Sequence, residues 1–222
     1  MTTTINTFLE TPLARHPLRM MLRGLMRGNV VLRCLTEQEL LELESHLTIA
    51  EVKKGDALLV QGTSEMDQYF ILEGVLKRVV ANSEGKEMIL RFARETQIET
   101  SYAAWRLENR APYSIRAVTR VRVAKCPIAV WAEFMDRYPK LKHDFEYEVM
   151  RLMSEIMAHT ITLHLLDAAG RMDRFLRKNP EMANLLPKKE LALHLNISPE
   201  TLSRLLHHHP QHPPDTPDPH KI

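Results

Sequence analysis

The spacing of hydrophobic and polar positions changes character twice along this chain. Across residues 48–124 short β-prone runs (57–60, 69–72, 75–80, 88–92, 114–117 and 121–124) recur at roughly ten-residue spacing. Turn signals at Lys54-Gly55-Asp56, Gln61-Gly62, Glu73-Gly74 and Glu84-Gly85 separate them, and four of the seven glycines fall at these breaks. That pattern predicts a small antiparallel roll or jelly roll. Ahead of it, Thr36 and Glu39 form a capping-box pattern that opens a short helix through about residue 46. Residues 1–20, Thr-rich and broken by Pro12 and Pro17, read as an N-terminal extension.

After Pro139 the turn residues vanish and a helix is expected over 141–166. Phe145, Val149, Leu152, Ile156 and Leu163 repeat at intervals of four, three, four and seven, which resembles a coiled-coil seam. These five residues are the expected dimer interface, because Met150, Met153 and Met157 add apolar surface that one helix cannot bury alone. The alternative is a helix packed on its own roll. Residues 167–170 read as a hinge, followed by a further helix over 171–178.

Residues 188–206, KKELALHLNISPETLSRLL, carry the spacing of two short helices around a tight turn. Leu191, Ala192 and Leu195 form the apolar side of the first, and Asn196 tolerates the left-handed backbone a turn requires. Ile197 fills the corner, Ser198 is a natural N-cap, and Pro199 suits the first helical position. Leu202 and Leu205 close the second helix onto the first. Its outer face shows Glu200, Thr201, Ser203 and Arg204, residue types that suit base edges and phosphates. With Lys188, Lys189 and Ser198 these form the candidate DNA-binding set.

Composition narrows the picture further. The 222 residues, 44% hydrophobic and 26% charged, suit a globular chain with two modest cores. The net charge of +2 is too small to attract nucleic acid by itself. Between Arg171 and Arg204, seven basic side chains face four acidic ones, a local net of +3 that is compatible with phosphate contact. Two cysteines, Cys34 and Cys126, are too few for an iron–sulfur cluster and read as reduced, partly buried thiols. No basic-then-apolar leader and no run of 18 apolar residues is visible, so a cytoplasmic protein without a membrane span is expected. Metal-dependent jelly-roll enzymes need clustered histidines, and residues 48–124 contain none, which argues against catalysis.

The order of parts resembles the Crp/Fnr family of bacterial transcription regulators. The resemblance rests on KKGDALLVQG (53–62), DQYFILEGVLKRV (67–79), YSIRAVTRVRVA (113–124) and PKKELALHLNISPETLSRLL (187–206). It implies an α+β architecture: an antiparallel β-roll sensor domain of the cyclic-nucleotide-binding type (21–140), a dimerisation helix (141–167) and a C-terminal helix-turn-helix domain (168–209). A Pro/His-rich tail (210–222) should be disordered. It further implies a homodimer on a palindromic operator of double-stranded DNA, an unknown small-molecule effector, and RNA polymerase as a further candidate partner. Glu200, Ser203 and Arg204 match the E-x-x-S-R pattern of the Fnr-type branch, and Pro199 replaces the arginine usual in the Crp-type branch. The expected half-site is therefore closer to TTGAT than to TGTGA.

Three departures from the family qualify those implications. Residues 91–117 contain no glycine, whereas nucleotide-binding members use a Gly-rich turn and an Arg-Ser pair, so cAMP is disfavoured. Glu99, Tyr102, Arg110 and Arg116, with Trp105, are the candidate lining of a pocket for another effector. Haem is also disfavoured, although His46, His159, His164 and Cys126 are formal axial ligands. Past residue 206 the family continues into a β-hairpin wing, and here histidine- and proline-rich sequence replaces it, to which no metal is assigned. The alternative is thus a sensing or interaction module with weakened or lost DNA binding.

Overall fold

The protein, seen in a computed structural model that describes residues 9–208, divides into two compact units between Ile161 and Thr162. The larger unit is built on two antiparallel sheets. Strands β1 (Leu9–Pro12), β2 (Thr48–Val52), β3 (Ala57–Leu59), β4 (Asp67–Glu73), β5 (Leu76–Ala81), β6 (Glu87–Ala93), β7 (Ile98–Glu99), β8 (Ser114–Ala117) and β9 (Val121–Pro127) make it up. One sheet has the order β1-β2-β9-β4-β7 and the other β3-β8-β5-β6. Each expected run becomes a strand: β3 ends one residue early, β5 is shifted by one, β8 matches, and β4, β6 and β9 are extended by one to three residues at an end. The β4–β5 turn depends on Gly74: its φ is +87°, and a Cβ there would meet the Arg120 carbonyl at 2.2 Å.

The expectation of an N-terminal extension over 1–20 is corrected from Leu9 onward. Strand β1 pairs with β2, from Leu9 opposite Glu51 to Pro12 opposite Thr48. Pro12 is tolerated because β1 is an edge strand, where a missing N–H costs no ladder bond. Leu13 is fully buried, and its N–H donates to the Leu47 carbonyl at 2.9 Å. Helix α1 (Arg19–Arg27) buries Leu22 and Met26, and Arg19 Nε donates to the buried Glu44 carboxylate at 2.7 Å. Residues 1–8 lie outside the described set.

Helix α2 (Glu37–Glu44) carries the expected capping box: Glu39 N–H donates to Thr36 Oγ1 at 3.3 Å, and Thr36 N–H to Glu39 Oε2 at 2.7 Å. Besides α1 and the short helix Pro180–Leu185, two further helices were not foreseen, α3 (Tyr102–Arg106) and α4 (Ile128–Asp136). Helix α4 starts directly after β9 and buries Trp131 completely. Trp131 meets Phe70 of β4 edge-on at 5.1 Å. It meets Phe145, on the long helix α5 (Pro139–Leu165), at 5.4 Å. This aromatic cluster seats α5 on the roll.

The stripe assigned to a dimer seam is corrected by that seating. Phe145, Val149 and Leu152 are buried in the protein's own core, and Ile156 and Leu163 are half-buried. The apolar side chains that α5 leaves exposed are different ones: Tyr147 at 60%, Met150 at 63%, Met157 at 64%, Ile161 at 50% and Leu165 at 77%.

The smaller unit is helical. It contains α6 (Ala168–Lys178), α7 (Pro180–Leu185), α8 (Lys188–Leu195) and α9 (Pro199–His208). Residues 168–170, read as a hinge, are the first turn of α6: the Asp167 carboxylate caps it by accepting from Gly170 N–H at 2.8 Å. Met172, Phe175, Met182, Leu186, Leu191, Ala192, Leu195 and Leu202 form its core. The tail of residues 210–222, and the end of the chain expected to lack a wing, lie outside the described residues. No helix among the described residues is long and apolar enough to cross a membrane.

Leu152→Ala should lower stability by about 2–5 kcal/mol, the usual cost of a buried leucine truncation. Urea denaturation should show that loss to be independent of protein concentration, because Leu152 packs within one protomer. A loss that shrinks on concentrating the protein would restore the dimer-seam assignment.

Candidate functional site

Helices α8 and α9 are held at their corner by backbone chemistry. Asn196 adopts φ 51°, ψ 51°, the left-handed conformation that ends α8. Ile197 N–H then donates to the Ala192 carbonyl at 3.0 Å, so the chain reverses without stranding a buried donor. Ser198 Oγ accepts from Thr201 N–H at 3.1 Å, the N-cap of α9, with Pro199 at the first helical position. Leu202 is fully buried, while Ile197 and Leu205 are only half-buried. His194, unremarked in the sequence, is buried edge-on against Phe175 at 5.4 Å between ring centroids.

The side chains proposed to meet DNA all stand at the surface of this unit. Lys188, Lys189, Ser198, Glu200 and Arg204 are exposed, and Thr201 and Ser203 are half-buried. Glu200 and Arg204 are one turn apart on α9. The Glu200 carboxyl is held below the ordinary carboxylate range, first by a hydrogen bond to its own backbone, then by Ser198, with the Arg204 charge adding to both. An N-terminal position on α9 favours the anion as well. At neutral pH the face therefore offers a carboxylate acceptor one turn from a guanidinium donor.

The four residues proposed as an effector lining are not brought together. Arg110 is exposed and donates to the Gly62 carbonyl at 2.9 Å. Arg116 alternates with buried Ile115 on β8, so it faces outward, where it pairs with Glu87. Tyr102 is buried on α3, edge-on to Phe145 at 5.1 Å, with its hydroxyl on Glu146 at 3.3 Å. Trp105 lies half-buried beside Tyr102, at 5.9 Å between ring centroids. Glu99 alone stands inside the roll.

What surrounds Glu99 was missed from the sequence. Its Oε2 accepts from Arg78 Nε at 3.1 Å and Nη2 at 2.8 Å, and its Oε1 from Arg91 Nη1 at 2.6 Å. Arg78 also stacks 4.1 Å from the Tyr113 ring centroid and donates to the Thr100 carbonyl at 3.0 Å. Burial works against both guanidinium charges. For Arg78 the Glu99 carboxylate more than offsets it and the pKa is raised, whereas for Arg91 burial prevails and the pKa is lowered. A signal was present: strict alternation on β6 places Arg91 on the same face as buried Ile89 and Ala93.

The formal haem and redox ligands are dispersed. His46 and His164 are exposed, Cys34 is half-buried and Cys126 is buried. Among the described residues no three His, Cys, Asp or Glu side chains are grouped to hold a metal ion. Burial, with a contribution from Asp67, pushes the Cys126 thiol up to about 12.

Comparison with known proteins follows the same division. Residues 49–138 match the model of the cyclic nucleotide-binding domain. The chain is 22% identical over 172 residues to the cAMP-activated global transcriptional regulator CRP of Salmonella typhimurium, covering 73% of this chain and 82% of that protein. Its fold is similar to FixK2 from Bradyrhizobium japonicum (TM-score 0.64, 14% identity, 72% of this chain and 83% of that one). It is likewise similar to a CooA variant from Carboxydothermus hydrogenoformans (TM-score 0.66, 18% identity, 81% of this chain and 83% of that one).

Cys126 should resist alkylation by iodoacetamide in the folded protein across pH 7–9, since its folded pKa lies near 12 against 9.0 for a free thiol. Because the unfolded thiol ionises first, stability from this group is complete below pH 9 and is lost as pH rises from 9 toward 12. Mass spectrometry of the labelled chain would contradict this if Cys126 were modified as fast as an unfolded peptide.

Proposed function

We propose, for a chain with the Crp/Fnr architecture of a cyclic nucleotide-binding domain and a helix-turn-helix, that it is a dimeric regulator binding a two-fold-symmetric operator through α8 and α9. The observation that carries this reading is the capped, left-handed-turned pair of helices presenting Glu200 and Arg204 together on its exposed face. In this reading α9 enters the major groove. Glu200 accepts from a cytosine amino group, and Arg204 donates to guanine or phosphate. Lys188 and Lys189, exposed at the start of α8, supply phosphate contacts that position the helix without reading sequence. Half-sites of TTGAT type follow from the E-x-x-S-R arrangement with Pro199 before it.

The dimer in this reading forms through the exposed face of α5. Tyr147, Met150, Ser154, Met157 and Ile161 recur at three, four, three and four residues, all of them exposed. That is a 3.5-residue period, the requirement for two helices to wind about each other. The residues buried against the roll keep α5 in place, and this second stripe is free to meet its copy.

In gel-shift titrations against palindromic TTGAT half-sites, Glu200→Ala and Arg204→Ala should each lose about 1–3 kcal/mol of discrimination against mismatched operators. Lys188→Ala should instead weaken binding to all sequences and lower the salt dependence by about one phosphate contact. Equal binding of wild type to matched and scrambled operators would remove the proposal and favour a sensing module without DNA function. Separately, the pair Met150→Glu and Met157→Glu should convert the dimer to monomer in sedimentation while leaving the helical circular-dichroism signal intact. A dimer that survives both charges would place the interface elsewhere.

A further inference from the structure

The interior of the roll holds a charge arrangement that DNA binding does not use. Strands β5 and β6 pair with Arg78 directly opposite Arg91, and both guanidinium groups are buried, with side-chain exposures of 0% and 7%. Like charges facing each other across adjacent strands repel, and removal from water strengthens the repulsion. An anion must stand between them. It is supplied from the other sheet: β7 is two residues long, pairs with β4, and places Glu99 between the two cations. Two cations against one carboxylate leave this buried cluster at a net charge of +1. Arg78 Nη1 and Arg91 Nε remain buried without a hydrogen-bond partner.

A cyclic nucleotide does not fit these residues. Glu99 already holds Arg78 Nε and Nη2 and Arg91 Nη1, and the glycine-free segment 91–117 offers no cradle of close backbone N–H groups. An incoming anion would have to displace a carboxylate tethered at high effective concentration. The displaced carboxylate would then be left buried and unpaired, which is strongly unfavourable.

We propose that Glu99 is a built-in counter-anion: the roll carries its own anionic ligand, which locks the two sheets together and closes the interior to cyclic nucleotides. Removal of that carboxylate turns the same arginines into a receptor for small monocarboxylates such as formate. The lock also reaches α5. Arg91 feels the charges of Glu155 and Arg151, and Arg151 is itself tied to Glu148 and Glu155 at 2.5 Å each. Loss of the counter-anion therefore perturbs the helix whose outer face is proposed to form the dimer.

The test is thermal unfolding of the full chain in rising sodium formate, with wild type at the same formate concentrations as the ionic-strength control. Glu99→Ala should unfold at a lower temperature than wild type, and formate should raise its midpoint saturably by several degrees while wild type barely responds. Adding Arg78→Met to Glu99→Ala should abolish the response. Millimolar cAMP and cGMP should give wild type neither a midpoint shift nor calorimetric heat. Should Glu99→Ala fail to fold, Glu99→Ser removes the carboxylate and frees nearly the same space, and the same saturable formate response is expected of it. Equal formate responses in wild type and variant, no response in a folded Glu99→Ala or Glu99→Ser, or cyclic-nucleotide binding by wild type would each overturn the assignment. No DNA enters these measurements, so their outcome is separate from that of the operator titrations.

Discussion

The pairing of Glu99 with Arg78 and Arg91 is the constraint around which the larger unit is arranged. Salt bridges at a surface contribute little, but a buried carboxylate between two buried guanidiniums must be met fully or the fold loses several kcal/mol. The three residues come from both sheets, so the spacing of those sheets is set by hydrogen-bond distances of 2.6 to 3.1 Å. From Glu99 the chain passes through Thr100, whose carbonyl accepts from both Arg78 and Tyr113, directly into α3. Tyr102, at the start of α3, then packs on Phe145 of α5. Charge inside the roll is thus joined to the long helix by one short run of backbone.

Helix α5 answers two demands with one sequence. Phe145, Val149 and Leu152 satisfy the roll, and their burial with Trp131 makes the helix part of the core. The face one step around, from Tyr147 to Ile161, stays apolar and exposed. A helix hydrophobic on two faces is soluble at low cost only when the second face finds a partner, which is the physical basis for reading it as a dimer seam. The division between the two compact units falls near the end of this second stripe, at Ile161 and Thr162.

In the smaller unit, the placement of α8 and α9 rests on backbone geometry more than on burial. Asn196 and Ser198 set the end of one helix and the start of the next. Glu200 and Arg204 then keep defined charges and positions on a short helix that would be marginal in isolation. The core of eight buried side chains beneath them provides the support.

Much of this was legible in the sequence. Short β-prone runs broken by glycine turns identified the strands of the roll, because turn residues and β-branched or aromatic runs act locally. Asn196, Ser198 and Pro199 announced the helix-turn-helix, because caps and left-handed turns are decided by residues within a few positions of each other. The stripe read on α5 turned out to be largely buried in the protein's own core, since two apolar faces share one helix and periodicity does not say which one the protein itself covers. The N-terminal segment was misjudged because Pro12 is forbidden only in a central strand, and edge position is a property of the assembled sheet. Arg110 and Arg116 looked like pocket residues until strand register turned Arg116 outward and left Arg110 exposed on a loop. The Arg78–Glu99–Arg91 cluster unites residues 8 to 21 positions apart from two different sheets. Local pattern determined the elements and the exposed polar face of α9; only tertiary packing could bring those charges together, because a carboxylate's partners are chosen by distance in space and not along the chain.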